Sequence, residues 1–458
     1  MERDPFAGRN YQKKREVYFM ENLLNPVVIA VVLLCVLCLL KINVLLSMLV
    51  SLFVAGLVGG MGVAAIKDSL LAGLGGNGET ALAYVLLGTL AACMATTGIT
   101  EILSKKIAKV VGGNKWILLL TLLIIACLSQ NLIPIHIAYI PILVPPLLVL
   151  MNKMKLDRRG VACTIAFGHK APYIAVPFGF GLIFMTIIRD NINQNVKEDW
   201  DWNVTVGDIT AVNWILAVAM LIGLAIAVFI TYRKPREYKD IQLEGVKETG
   251  DLTLKYEHWV VLAALVVVVV AQFVWGSLPV AALAGLLVIF VFGAIKPKDI
   301  DAQFQEGIKL MGFIAFVMLV AGGFAQVLKD TGAVEELVNS SVNLMKGNTW
   351  VAATVITLIG LLVTMGIGTS FGTVPVLAVL YVPLCHQVGF SPAATIVLMS
   401  AAAALGDAGS PASDTTLGPT SGLNADGQHD HIWDTCVPTF LHFNIPLMIA
   451  AIVAAQFL

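Results

Sequence analysis

Charge is scarce in this chain. Of 458 residues, 29 are Lys or Arg and 30 are Asp or Glu, 13% in all, about half the share of an ordinary soluble domain. The net charge of −1 offers no basic field to nucleic acid. Cysteines with the paired spacing of a zinc site are also missing. Among the seven cysteines, Cys35 and Cys38 read C-x-x-C, but inside an apolar run with no acidic or histidine neighbour, which is a packing pattern rather than a redox or zinc site. The other five are scattered through apolar runs, so free thiols are expected and no disulfide framework. No G-x-x-x-x-G-K-[ST] loop appears to support ATP-driven pumping. A TVGYG-like carbonyl filter, the mark of one class of channel, is absent, and no nucleophile–base constellation points to an enzyme.

What is abundant is apolar side chain, 58% of residues, with a mean hydropathy of +0.85. A soluble fold of this length has no place to hide that much apolar surface. Apolar runs at about 26–40, 44–64, 80–96, 211–232, 259–275, 279–295, 310–328 and 437–457 are the length of bilayer spans. The fold class is therefore an all-α polytopic membrane protein. Residues 1–22 form a polar N-terminal tail with Lys13, Lys14 and Arg15. The apolar run after Pro26 lacks a cleavage-like site and reads as a retained helix, with Met20 as an alternative start.

Four further segments are interrupted. The segment 116–150 breaks at Ser129-Gln130-Asn131, and 161–188 breaks around Gly168-His169-Lys170-Ala171-Pro172. The segment 350–389 breaks at Thr364 to Ser370, and 392–416 breaks at Gly406 to Thr416. Breaks free backbone N–H and C=O groups at membrane depth, which is tolerated only beside protein or a polar cavity.

These interruptions are paired by an internal repeat. Thr97-Gly98 matches Thr331-Gly332, Gly113-Asn114 matches Gly347-Asn348, Trp116 matches Trp350 and Pro141 matches Pro375, each pair 234 apart. After a small insertion the register is expected to resume with Gly168 opposite Gly406 and Pro172 opposite Pro411. Basic residues lie both before 116–150 (Lys105, Lys106, Lys109, Lys115) and after it (Lys153, Lys155, Arg158, Arg159). The positive-inside rule then favours a re-entrant hairpin over one crossing, and Trp116 to Leu128 is expected to cover only about half a bilayer.

Each repeat so read has about five transmembrane helices, a re-entrant hairpin and a broken helix, and the odd count inverts the second copy. The first inverted repeat is 23–232 (hairpin 116–150, broken helix 161–188). The linker 233–258 is cytoplasmic and solvated, and the second repeat is 259–458 (hairpin 350–389, broken helix 392–416). The loop 189–210, poor in basic residues, falls outside. The basic tail also falls outside, against the rule, unless the chain starts at Met20.

Paired broken helices in inverted repeats are secondary-transporter architecture. The sharpest cluster is Gly406-Asp407-Ala408-Gly409-Ser410-Pro411-Ala412-Ser413-Asp414-Thr415-Thr416. Its carboxylates and hydroxyls suit a hard cation, with Na+ expected at Asp407, Ser410 and Asp414 and with Ser413 and Thr415 beside them. Lys170, inside a span, is expected to pair with Asp407 or Asp414 in at least one state and to exchange a proton for sodium. His169 either titrates near neutral pH or makes one structural hydrogen bond. The hairpin tips supply solute contacts through helix-start N–H groups, with Asn131 and Thr369 first, then Ser370 and His136. His429, Asp430, His431 and Asp434 have the composition of a metal box but read better as loop structure.

The Gly406 to Thr416 stretch resembles the G-D-x-x-S-P-x-S-D-T-T signature of the NhaC-type sodium/proton antiporters of the ion-transporter superfamily. Leu417-Gly418-Pro419, Asp426 to Trp433 and Phe167 to Pro172 are similar to one branch, bacterial membrane proteins some of which are regarded as amino-acid or histidine permeases. The resemblance spans the chain after about Asn22. It implies a homodimer in the bacterial inner membrane, in contact with lipid, with a scaffold and a moving transport domain that holds both hairpins. Small Ala408-Gly409 after Gly-Asp leaves room for cargo. The expected function is transport of a small carboxylate-bearing solute such as an amino acid, coupled to Na+ or H+, with no other cofactor. The alternative is Na+/H+ exchange without organic cargo.

Overall fold

The computed structural model describes residues 24–131, 136–239, 253–345 and 348–458. The expected tail 1–22 and the middle of the expected linker lie outside the described residues. Among the described residues the regular elements are helices: α1 (Pro26–Leu39), α2 (Val44–Val58), α3 (Val63–Leu74), α4 (Gly78–Thr97), α5 (Ile99–Val111), α6 (Lys115–Asn131), α7 (Ile140–Lys153), α8 (Arg158–Ala175), α9 (Phe180–Asn195) and α10 (Val206–Ile226). They continue with α11 (Tyr256–Trp275), α12 (Leu278–Val291), α13 (Ile300–Asp330), α14 (Ala333–Met345), α15 (Thr349–Ile367), α16 (Ser370–Val388), α17 (Pro392–Ala404), α18 (Asp414–Leu423) and a final run α19 (His431–Phe457). Seven helical runs in this set are long and apolar enough to cross a membrane, or eight if the bent pair α8–α9 is one span. The chain is a multi-pass integral membrane protein.

Local chemistry sets many of the boundaries. Asn25 and Asn43 cap α1 and α2 by accepting from N–H groups of the first turn. Asn114 accepts from Trp116 N at 2.9 Å and Asn348 from Trp350 N at 3.0 Å, the same cap at both copies of the repeated motif. Helix bounds recur at the same offset: α5 and α14 start at 99 and 333, α6 and α15 at 115 and 349, α8 and α17 at 158 and 392, α9 and α18 at 180 and 414, each 234 apart.

Two expectations are corrected here. The break in the first broken helix is not at Gly168–Pro172, which lies within α8, but at 176–179, where the axis bends by 49°. Pro172 only removes one N–H from the final turn, whereas Pro177 forces Val176 into extended backbone (φ −107°, ψ 117°) and ends the helix. The small insertion is also absent. The constant offset sets Gly168 against Ala402 and Tyr173 against Asp407. Packing agrees: a Cβ on Gly168 would meet Ala126, and one on Gly360 would meet Ala402, which is the same pair of positions at the same offset. The matching Gly and Pro letters that suggested an insertion belong to different points along the two broken helices.

The hairpin arms are longer than half a bilayer. Helix α6 has 17 residues, about 25 Å, because Ser129 stays helical with its hydroxyl donating to Ala126 O at 2.8 Å. In the second hairpin the break shrinks from the expected 364–370 to Gly368 and Thr369, since α15 runs to Ile367 and ends on Gly368 at φ +74°.

Helices α3, α4 and α13 form a close-packed platform through glycine contacts. A Cβ on Gly88 would lie 2.5 Å from Gly307 O, and one on Gly307 only 2.4 Å from Thr89 N. Gly73 and Gly322 approach each other in the same way. Such small-residue contacts are how helices associate without a hydrophobic driving force. Leu87, Leu90 and Cys93 of α4 then join Val261, Ala264 and Val268 of α11 and Ala281 and Leu286 of α12 in one apolar cluster. Substituting Gly307→Val drives a branched side chain into α4. The expected result is a loss of about 1–3 kcal/mol, the usual cost of overpacking, read as a lower melting temperature of detergent-purified protein, while Gly75→Ala, which meets open space at a helical φ of −64°, changes it far less.

Candidate functional site

The site grows from an unwound stretch. Small side chains Ser400 to Ala404 bury the end of α17 completely. Leu405 is extended, Gly406 and Gly409 have φ of +85° and +123°, and Pro411 cannot rejoin a helix ladder. A Cβ on Gly406 would meet Leu361 O at 2.6 Å and one on Gly409 would meet Phe440. The freed backbone groups are satisfied by side chains, as buried polar groups must be. Gly406 N donates to Asn444 Oδ1 at 3.2 Å, and Asn444 Nδ2 donates to Ala408 O at 2.9 Å. Thr416 donates to Ser410 O, and His431 Nε2 to Pro411 O at 2.9 Å.

Asp407 is the centre of this segment. Its Oδ2 receives the ammonium of Lys170, the hydroxyl of Ser370 at 2.9 Å and that of Tyr173 at 3.4 Å. Its Oδ1 receives Ser413 Oγ. Lys170 Nζ also donates to Ser370 Oγ at 2.7 Å, and the Tyr173 hydroxyl lies 2.8 Å from the same oxygen. Lys170 is 0% exposed and Asp407 4%. Three parts of the chain thus meet on one carboxylate: α8, the first residue of α16, and the unwound stretch. The rings of Phe184 and Phe371 pack on Tyr173 and wall the pair off.

Asp414 opens α18 and has other partners. Tyr84 OH of α4 donates to its Oδ2 at 3.0 Å, and Thr415 Oγ1 lies 3.4 Å from Oδ1. Ser413 caps α18, accepting from Thr415 N at 3.1 Å. Ser410 Oγ donates to Met365 O at 3.2 Å, so the three expected sodium ligands, Asp407, Ser410 and Asp414, each have a separate set of partners. Asn131 reaches the first break, its Nδ2 donating to Pro172 O and Val176 O at 3.2 and 3.3 Å. Among the described residues, the buried carbonyl oxygens of Gln130 and Asn131 have no hydrogen-bond partner. Thr369 is half-buried at the N-cap of α16. His169 is buried with its ring edge-on to Tyr139, 5.6 Å between centroids. His136 begins the short helical turn before α7, 234 positions before Ser370; its side chain lies outside the described residues.

The histidine-rich loop is a hydrogen-bonded support. His429 Nε2 lies 2.7 Å from Thr435 Oγ1, His431 Nδ1 lies 2.8 Å from Thr420 Oγ1, and Asp430 caps α19. Residues 236–239, expected as solvated linker, are instead bonded to this end of the molecule. Arg236 pairs with Asp434 at 2.7 Å, Gln428 bonds both N–H and C=O of Lys239, and Tyr238 OH accepts from Arg158 N. Arg158, wholly buried, makes a two-pronged ion pair with Asp426 at 2.7 and 2.6 Å. Tyr84, Tyr173, Asn444 and this Arg158–Asp426 pair were not singled out from sequence. Their one signal is a lone polar residue within or beside an apolar run.

Burial pushes the Asp426 carboxyl up, but the Arg158 guanidinium outweighs it and holds it below the usual carboxylate range. A depressed carboxyl stabilises the fold above the ordinary value of about 3.9 and loses that contribution as pH falls through its own lower value. Asp426→Asn is therefore expected to lower stability by about 3 kcal/mol at neutral pH, the scale of a broken buried pair. The gap to the native protein should close below about pH 4, read by thermal melting across pH; a constant gap would count against the ion pair.

Comparison with known proteins gives a consistent family. Residues 164–454 match the family described as "Na+/H+ antiporter family", and residues 25–111 match a second described as "Na+-H+ antiporter family". An uncharacterized membrane protein of Vibrio parahaemolyticus is 46% identical over 95% of this chain and 100% of its own length. The Bacillus subtilis protein named "Putative amino acid transporter YuiF" is 45% identical over 94% of this chain and 99% of its own. Among solved structures, the YdaH transporter of Alcanivorax borkumensis aligns at a TM-score of 0.46 and 13% identity, covering 86% of this chain and 88% of that one.

Proposed function

This chain belongs to the Na+/H+ antiporter family, and from that premise we propose that it is a cation-coupled secondary transporter of the bacterial inner membrane whose cargo is a small carboxylate-bearing solute such as an amino acid. The observation that carries the reading is the sealed Lys170–Asp407 pair on an unwound backbone. A buried ion pair is held by mutual need, since removing either charge strands the other. Protonating Asp407, or replacing the ammonium with Na+ on its oxygens, frees Lys170, and a solute carboxylate is the partner such an ammonium then takes. The unpartnered oxygens of Gln130 and Asn131 suit the ammonium end of the same solute or a sodium ion. The name of the Bacillus relative supports an amino-acid cargo.

In this reading the two copies, offset by 234 residues, are inverted repeats, the bundle holding both hairpins moves against the α3–α4–α13 platform, and the working unit is a homodimer. Plain Na+/H+ exchange is the second reading, and one feature favours it: Asp407 is fully satisfied by Lys170, Ser370, Tyr173 and Ser413, so competition between an ammonium and Na+ needs no organic partner.

The test is reconstitution in proteoliposomes with imposed Na+ or proton gradients, screening radiolabelled amino acids. Coupled uptake by the native protein is expected, with Asp407→Asn and Lys170→Met each reducing it by more than about tenfold, a factor worth 1.4 kcal/mol. Sodium-driven proton movement with no solute uptake would instead support exchange. Normal uptake by Asp407→Asn would remove the pair from the mechanism.

A further inference from the structure

Tyr84 stands apart from the polar groups that surround the unwound segment because it comes from the platform. Helix α4 takes part in both apolar cores of the molecule: Ala81 and Tyr84 belong to the large one, while Leu87, Leu90 and Cys93 belong to the smaller one with α11 and α12. Its position is fixed by the backbone-to-backbone approach of Gly88 and Gly307, which leaves little room to slide. From this helix the Tyr84 ring, 1% exposed, reaches the first residue of α18 and donates its hydroxyl to Asp414 Oδ2 at 3.0 Å. One phenol therefore joins a helix of the platform to the charge cluster of the unwound segment.

We infer that Tyr84 is a positioning residue that couples cation occupancy of the site to release of the hairpin-bearing bundle from the platform. The inference rests on the transporter reading above and goes beyond it by naming the tie. A phenol O–H donating to an ionised carboxylate makes a charge-assisted bond, stronger than one to a neutral acceptor. While Asp414 holds no cation, that bond keeps the start of α18 against α4. When a proton or Na+ takes the carboxylate, the bond loses its charge assistance and the bundle is freed to move. The differential interaction between the two charge states is what any such switch requires.

The experiment is a double-mutant cycle on the full-length protein, with Tyr84→Phe, Asp414→Asn and the two combined. Tyr84→Phe removes one oxygen and keeps the ring that packs in the core. Hydrogen–deuterium exchange of the purified protein is read over 78–97 and 414–423. Each single variant is expected to raise exchange in both segments roughly tenfold, the scale of one hydrogen bond to a charged group, and the double variant to add nothing further. A second readout is leak of radioactive sodium from proteoliposomes without solute, expected to rise in all three variants to the same level. Wild-type exchange and leak in Tyr84→Phe, or independent additive effects of the two substitutions, would overturn the proposal. Failure of the transporter reading looks different: the native protein then moves no amino acid, yet the cycle stays non-additive. If Tyr84→Phe melts well below the native protein, Asp414→Asn is read alone, and its exchange must still rise in α4 for the tie to stand.

Discussion

An ammonium group that is wholly buried among helices has to be answered by a negative charge, and most of the architecture around the centre of this protein follows from that need. Lys170 sits on α8 with no exposure, so Asp407 must come to it. Asp407 reaches it only because α17 stops at Ala404 and the backbone turns through the positive φ of Gly406. That turn exposes carbonyls and amides that Asn444, Thr416 and His431 then have to satisfy. The remaining capacity of the carboxylate is filled by Ser370 and Ser413, which places the first residue of α16 and the cap of α18 on the same group. Removing the lysine would therefore disturb four helix ends at once, although it contacts only some of them.

The repeat explains how the same constraint is built twice without being filled twice. The positions 131 and 176 are joined by the side chain of Asn131, which donates to Val176 O. The equivalent positions 365 and 410 are joined by the side chain of Ser410, which donates to Met365 O. Hairpin tip and break are thus tied in both halves, but the donor has moved from the tip to the break. Glycine and alanine are exchanged in the same manner across the contact of 126 with 168 and of 360 with 402. What recurs is the distance between backbones, and side chains are free to differ as long as that distance is kept.

Much of this was legible in the sequence. The apolar runs, the paired interruptions and the offset of 234 can be counted directly, because bilayer length and Gly/Pro punctuation leave plain marks. A lysine within a span calls for an acid partner, and the acid-rich motif supplies one. The exact breaks were less visible. Gly168 and Pro172 look disruptive, yet α8 passes through them, since a small residue facing Ala126 helps packing and a proline in the last turn costs a single bond. The effective break depends on Pro177, whose influence on Val176 is local but competes with a more conspicuous cluster. Tyr84, Tyr173 and Asn444 were hidden for another reason. One hydroxyl or amide in an apolar run has no pattern around it, and its partner lies 330 residues away for Tyr84 and 36 for Asn444.

Function in such a framework comes from the difference between the halves. At equivalent positions Tyr173 faces Asp407, Phe180 faces Asp414 and Ala404 faces Lys170. Both acids thus belong to one copy and the lysine to the other, so the centre is held together by a charge borrowed across the repeat. A symmetric pair of acids would repel and a symmetric pair of lysines would have no counter-charge at that depth. Asp414, half-buried, receives the Tyr84 hydroxyl, a donor that stabilises its charge without cancelling it.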